Sequence, residues 1–123
     1  MLKRSLLVLA LAAGTAQAKD TGLAYVSSEK NNTLTMVDAK TLAVVGTIKT
    51  CKRPRHMHLM PGGEKMMVAC SDSNAADMID LAARKSLGTI PLGDDPEAFD
   101  LSPDGKLAYV SAEEDGALNV FDL

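Results

Sequence analysis

The chain has no tryptophan, and aromatic residues make up only 3% of its 123 positions. It lacks the ring platforms on which single-stranded nucleic acids stack, and its core must be built from aliphatic side chains. Positive charge is also scarce: 13 Lys and Arg stand against 16 Asp and Glu, a net charge of −3. Only Lys52, Arg53 and Arg55 cluster. Nucleic acids and anionic membrane surfaces both require a basic patch, so neither is expected as a partner. Beyond the first segment, no apolar run is long enough to cross a bilayer as a helix. The G-x-S-x-G elbow, the H-E-x-x-H helix and the phosphate-binding P-loop are absent from the sequence, which removes the usual signatures of hydrolase, metalloprotease and nucleotide-hydrolase chemistry.

What is present begins with an export signal. Lys3 and Arg4 precede an apolar run from Leu6 to Ala13, and small residues then lead to Ala16-Gln17-Ala18. A basic start, a short apolar centre and an A-x-A site predict a signal peptide over residues 1–18. The expected mature protein, residues 19–123, is secreted, in the periplasm, and makes no membrane contact after cleavage. Loss of Lys3 and Arg4 leaves 11 basic against 16 acidic side chains, a net charge of −5.

The rest of the chain repeats. Tyr25-Val-Ser, Met67-Val-Ala and Tyr109-Val-Ser follow one another at intervals of 42 residues, as do Asp38, Asp80 and Asp122. Gly46-Thr-Ile matches Gly88-Thr-Ile, Pro54 matches Pro96, and Leu59-Met-Pro-Gly-Gly matches Leu101-Ser-Pro-Asp-Gly. An ungapped period of this length, with strand-like segments between turn signals, predicts an all-β fold of propeller blades, each of four antiparallel strands. The units run over about 22–54, 55–96 and 97–123, some 2.5 blades. In the middle unit the strands are expected at His56–Met60, Lys65–Cys70, Ala76–Asp80 and Ser86–Pro91. The Pro61-Gly62-Gly63 and Pro103-Asp104-Gly105 segments close hairpins, because Pro presets φ and Gly supplies a positive one. Asp38, Asp80 and Asp122 are expected to bind turn amides rather than to act in catalysis.

A propeller ring holds about four to eight blades, so the expectation is an incomplete ring from a truncated chain, with an apolar blade face bare at each end. Association of several copies is disfavoured at this level, because two and a half units do not repeat in phase.

Two cysteines in an exported chain raise a disulfide. Cys51 and Cys70 fall at the same end of one blade, so a bridge is geometrically open. The alternative is a small buried thiol, since Cys70 takes the place of Ser28 and Ala112. The segment Arg53-Pro-Arg55-His56-Met57-His58 enters an innermost strand, at the central channel. His56 and His58 share a face there, and with the methionines they raise a copper site; the alternative treats the methionines as core filler. No metal is assigned, and His56 and His58 stand only as weak candidates. Overlay of the units sets Arg53 on Asp95 and Arg55 on Glu97. Neighbouring blades would then pair opposite charges, or, with Asp94, form a rim that orients an anionic ligand or a protein partner.

Tyr25-Val-Ser-Ser-Glu-Lys-Asn-Asn-Thr-Leu-Thr-Met-Val-Asp and Tyr109-Val-Ser-Ala-Glu-Glu-Asp-Gly-Ala-Leu-Asn-Val-Phe-Asp resemble the YVTN family of β-propeller repeats. With Arg53-Pro-Arg, Ser71-Asp-Ser and Asp95-Pro-Glu-Ala-Phe, the resemblance extends to exported propellers associated with catabolism dependent on pyrroloquinoline quinone (PQQ). Met67-Val-Ala departs from the pattern by losing its tyrosine, and Pro61-Gly-Gly by losing its aspartate. The resemblance implies a non-catalytic binding or scaffold module, with no cofactor in this chain and PQQ only as a pathway association. Its partners would be a protein or small anionic ligand at the channel rim, or further blades of the same propeller. The alternative is a haem-carrying, metal-carrying or enzymatic propeller with its active residues in other blades. A quinoprotein dehydrogenase would bring tryptophan docking motifs, which are missing here, and a haem propeller would draw on His56 or His58.

Overall fold

A computed structural model describes residues 21–123; the expected signal peptide and its cleavage site lie outside the described residues. Ten strands follow in order: β1 (Leu23–Ser28), β2 (Thr33–Asp38), β3 (Val44–Lys49), β4 (Pro54–Leu59), β5 (Lys65–Cys70), β6 (Ala75–Asp80), β7 (Lys85–Pro91), β8 (Pro96–Leu101), β9 (Leu107–Ala112) and β10 (Ala117–Asp122). They form three antiparallel meanders in chain order: β1–β3 (blade 1), β4–β7 (blade 2) and β8–β10 (blade 3). No helix among the described residues is long and apolar enough to cross a membrane.

The innermost strand β4 starts at Pro54 rather than at the expected His56, and β6 and β7 each start one residue early. The cause in β4 is a bulge. Pro54 pairs with Cys70, the register then shifts, and regular pairing resumes at Met57 with Val68. The same shift recurs after Pro96 in β8. A proline that opens a strand needs no ladder N–H, and the bulge lets the chain turn in from the loop.

The repeat is written in the backbone as well as in the residues. Asn32, Asn74 and Gly116 take left-handed φ values of 55°, 51° and 58°; Leu42 and Arg84 follow at 59° and 54°, and Arg53 and Asp95 at 56° and 43°. Leucine and arginine have no intrinsic preference for this region; at Leu42 the turn imposes it, with Leu42 N–H donating to Asp38 O at 2.8 Å. Gly46 and Gly88 sit at equivalent bulges, between β2 and β3 and between β6 and β7. A Cβ at Gly46 would stand 3.0 Å from Met36 Cε, which explains the glycine. Two of the three expected aspartate turns are present: Asp38 Oδ1 accepts from the Lys40 and Thr41 amides at 2.9 and 2.7 Å, and Asp80 Oδ1 accepts from Ala83 N–H at 2.8 Å. The Thr41 and Lys40 amides hold the Asp38 carboxyl below its ordinary range.

The core consists of two seams between blades. In the first, Leu34, Met36 and Ile48 of blade 1 pack on Met66, Val68, Cys70 and Ile79 of blade 2. In the second, Met67, Ala69 and Ala76 of blade 2 pack on Phe99, Ala108 and Val110 of blade 3. Strand β5 therefore sends alternate side chains into different seams, and this is why Met66-Met67-Val68-Ala69-Cys70 is apolar without interruption.

The linker from β3 to β4 is fastened by a Cys51–Cys70 disulfide with a Cα–Cα distance of 5.8 Å. Beside it lies Asp77, only 2% exposed, which the sequence analysis passed over. One carboxylate oxygen accepts from Cys51 N–H at 3.0 Å and the other from the Ser86 hydroxyl. The sign was visible: equivalent positions in the flanking repeats carry the neutral polar residues Thr35 and Asn119.

The disulfide spans 19 residues; its reduction, or its replacement by two alanines, is expected to lower stability by about 3 kcal/mol, read as a fall in the urea midpoint. Asp77→Ala strands the Cys51 amide and the Ser86 hydroxyl and should cost about 2 kcal/mol. Asp77→Asn retains one acceptor oxygen and should lose less in the same titration.

Candidate functional site

Because every connection is a hairpin or a short linker, the β1–β2, β3–β4, β5–β6, β7–β8 and β9–β10 connections gather at one end of the blades. This end holds the charged residues singled out from sequence. Two asparagines build it. Asn32 Oδ1 accepts from Arg53 N–H at 2.8 Å, and Asn74 Oδ1 accepts from Asp95 N–H at 3.1 Å. Each asparagine, itself left-handed, pins the left-handed corner at which the chain enters the next blade. In the sequence they read only as polar loop residues, although their interval of one repeat was available.

Arg55 joins two structural elements of blade 3. One guanidinium nitrogen lies 2.9 Å from Glu97 on β8, and the other lies 2.9 Å from Glu113 at the end of β9. Its side chain is 19% exposed, so this is a half-desolvated double pair rather than a loose surface contact. The Arg55–Glu97 juxtaposition expected from the overlay is therefore present. The Arg53–Asp95 one is not. Arg53 lies 3.2 Å from Glu29 and 3.6 Å from Asp72, and Glu29 holds its guanidinium pKa above the ordinary value. Arg53 and Asp95 occupy equivalent corners of successive linkers, and Arg53 reaches the neighbouring β1–β2 and β5–β6 connections instead. Asp95 makes no ion pair among the described residues. Asp94 Oδ1 accepts from Asn74 Nδ2 at 3.0 Å.

His56 and His58 do share a face, and that face is turned into the second seam. The His56 ring meets Phe99 edge-on at 5.0 Å between centroids, and His58 lies 6.4 Å from the same ring. Met57 points the other way, into the first seam. Burial, reinforced by the neighbouring His58, pushes the His56 pKa below its ordinary value. His56 Nε2 is enclosed and has no hydrogen-bond partner. The His58 Nδ1 lies 2.7 Å from Leu59 O, and its Nε2 lies 3.7 Å from Asp100. A cleft of about 410 Å³ opens beside His58, between the Met60–Gly63 and Leu101–Pro103 turns. Among the described residues no three His, Cys, Asp or Glu side chains converge as a metal site requires. The cysteines are spent on the disulfide, and Met66 and Met67 are core. Of the two rings, His58 is engaged at both nitrogens, with Leu59 O and Asp100, and the nitrogen without a partner, His56 Nε2, is enclosed in the seam.

Neither a known family nor a curated protein matches the sequence. Solved structures do match in shape. Kuenenia stuttgartiensis hydrazine synthase is similar over 82% of this chain, at 27% identity and a TM-score of 0.73. A functionally unknown protein from Desulfotomaculum acetoxidans DSM 771 matches 82% of the chain at 18% identity and a TM-score of 0.65. Dihydro-heme d1 dehydrogenase NirN, in complex with DHE, matches 86% at 19% identity and a TM-score of 0.67. The chain spans 29%, 38% and 23% of those three chains. The sheets and these neighbours together establish the fold: an arc of β-propeller blades.

Proposed function

We propose that this chain belongs to an exported, non-catalytic β-propeller that binds a protein partner at its loop-bearing end, as an accessory to PQQ-dependent oxidation. The pathway association rests on the YVTN resemblance. The observation that carries the binding mode is that both rim guanidiniums are occupied by carboxylates, Arg53 by Glu29 and Asp72, Arg55 by Glu97 and Glu113. Neither is left to grip a small anion. Lys30 and Lys52 are exposed on the Arg53 side, while on the blade 3 side the exposed charge is acidic: Asp94, Glu114 and Asp115, with Asp95 half-buried between. Such a surface suits the basic patch of a protein, where complementary charge sets orientation and association rate.

The likeness to hydrazine synthase at 27% identity favours a second reading, an enzymatic propeller whose reacting groups stand in other blades. In that case the described blades would still serve as scaffold.

Calorimetric titration of the exported protein with inorganic phosphate or citrate is expected to show no saturable binding. Immobilised protein should retain a basic periplasmic partner at low ionic strength and release it in salt, which screens such contacts within about 10 Å at 0.1 M. The Asp94→Asn/Asp95→Asn/Glu114→Gln variant should weaken retention about tenfold, as loss of roughly 1.4 kcal/mol of interaction would. Saturable uptake of an anion that Arg55→Ala abolishes, or retention indifferent to the acidic variant, would refute the reading.

A further inference from the structure

The rim carries one cleft twice. Between blades 1 and 2 its lining includes Glu29, Asn32, Lys52, Arg53 and Asp72. Shifted by 42 residues, the same positions are Ser71, Asn74, Asp94, Asp95 and Glu114, and they line a cleft of about 280 Å³ between blades 2 and 3. The backbone is alike at both, since Asn32 and Asn74 hold the Arg53 and Asp95 amides at left-handed corners. The charge is not alike. In the first cleft the chain supplies its own cation, with the Arg53 guanidinium 3.2 Å from Glu29 and 3.6 Å from Asp72. In the second, Asp95 stands for that arginine, Ser71 for Glu29 and Glu114 for Asp72. Arg53 reaches only the edge of this cleft, through Asp72. The carboxylates of Asp95 and Glu114 enter no ion pair among the described residues. Ser71 is 2% exposed, and its hydroxyl is enclosed without a hydrogen-bond partner. Its backbone is satisfied, with the N–H donating to Arg53 O and the carbonyl accepting from Asn74 N–H. An unpartnered hydroxyl of this kind costs free energy and calls for a partner.

We propose that the second cleft receives a primary ammonium, the side chain of a lysine on the basic protein partner, so that a cation from outside takes the part that Arg53 plays in the first cleft. This rests on the binding mode proposed above and names its anchor. The acceptors select the ammonium. They stand on three different connections: the Ser71 hydroxyl between β5 and β6, Asp95 between β7 and β8, and Glu114 between β9 and β10. An ammonium carries three donors around one charge, so it can give one hydrogen bond to each. A guanidinium is best matched by a single carboxylate presented flat to its fork. A divalent metal is poorly served, because no three carboxylates converge among the described residues. Asp72 and Asp94, engaged by Arg53 and by Asn74 Nδ2, add negative potential around the cleft and favour entry of positive charge.

Titration of the isotope-labelled exported protein with N-acetyl-lysine amide tests this, followed by NMR at the Ser71, Asn74 and Asp95 amides. The expected result is saturable movement of those resonances. Tetramethylammonium, which has the charge but no N–H donor, should bind about tenfold more weakly. Asp95→Asn/Glu114→Gln should weaken the capped lysine about tenfold, and Ser71→Ala about threefold. Ser71→Ala should leave the urea midpoint unchanged or raised, since it deletes a hydroxyl that the free protein leaves unsatisfied. Asp95→Arg installs the cation that the first cleft already has and should abolish binding; it should still fold, because Arg53 occupies the equivalent corner. Equal binding of tetramethylammonium would mean only a diffuse acidic surface and would overturn the proposal. So would resonances that calcium moves and the capped lysine does not, or a Ser71→Ala variant that binds normally and loses stability. Putrescine bound more than about tenfold tighter than the capped lysine would assign the cleft to a free diamine and overturn the lysine. Retention of a basic protein without capped-lysine binding would sink the anchor alone; capped-lysine binding without such retention would sink the binding mode.

Discussion

Everything in this molecule depends on β5 being apolar on both sides. A strand whose odd and even residues are all hydrophobic cannot sit in a two-layer fold with one wet face; it must be covered twice. Met66, Val68 and Cys70 are satisfied by blade 1, Met67 and Ala69 by blade 3. The stacking of blades follows from this requirement, and with it the convergence of inner strands and the gathering of alternate connections at one end. The two seams reach the same end with different volumes. The first interdigitates leucine, isoleucine and methionine; the second uses several alanines and lets Phe99 fill the space that they leave.

The polar groups serve that stack. Arg55 ties an inner strand of one blade to two elements of the next, Asp77 holds the linker that carries the disulfide, and the two rim asparagines fix the corners where one blade gives way to another. Side chains of the types that often mark chemistry are thereby committed to architecture. What the rim offers outward is therefore shape and surplus negative charge.

The fold was open to reading because the repeat aligns without gaps, so turn residues, strand residues and the aspartates of the Asx turns could each be checked against a second copy of themselves. Strand ends were less legible. The bulge after Pro54 shifts register without changing residue type, and only pairing with β5 exposes it. Of the rim, the Arg55–Glu97 pair could be anticipated from a one-repeat offset on neighbouring inner strands. The partners of Arg53 could not: Glu29 and Asp72 belong to connections that sequence spacing does not relate to it, and a long flexible side chain selects its acid by local geometry.

What the sequence by itself determined was the architecture: a 42-residue period, carried by glycine, proline and aspartate at turns, leaves few folds able to repeat it. The union of Cys51 with Cys70, the burial of Asp77, the seating of both histidines against Phe99 and the loss of Arg53 from Asp95 were decided only in three dimensions. Periodicity constrains backbone path and the face to which each side chain belongs. Disulfides, buried carboxylates and ion pairs depend instead on distances of a few ångströms between segments far apart in sequence, and those distances exist only once the blades have packed.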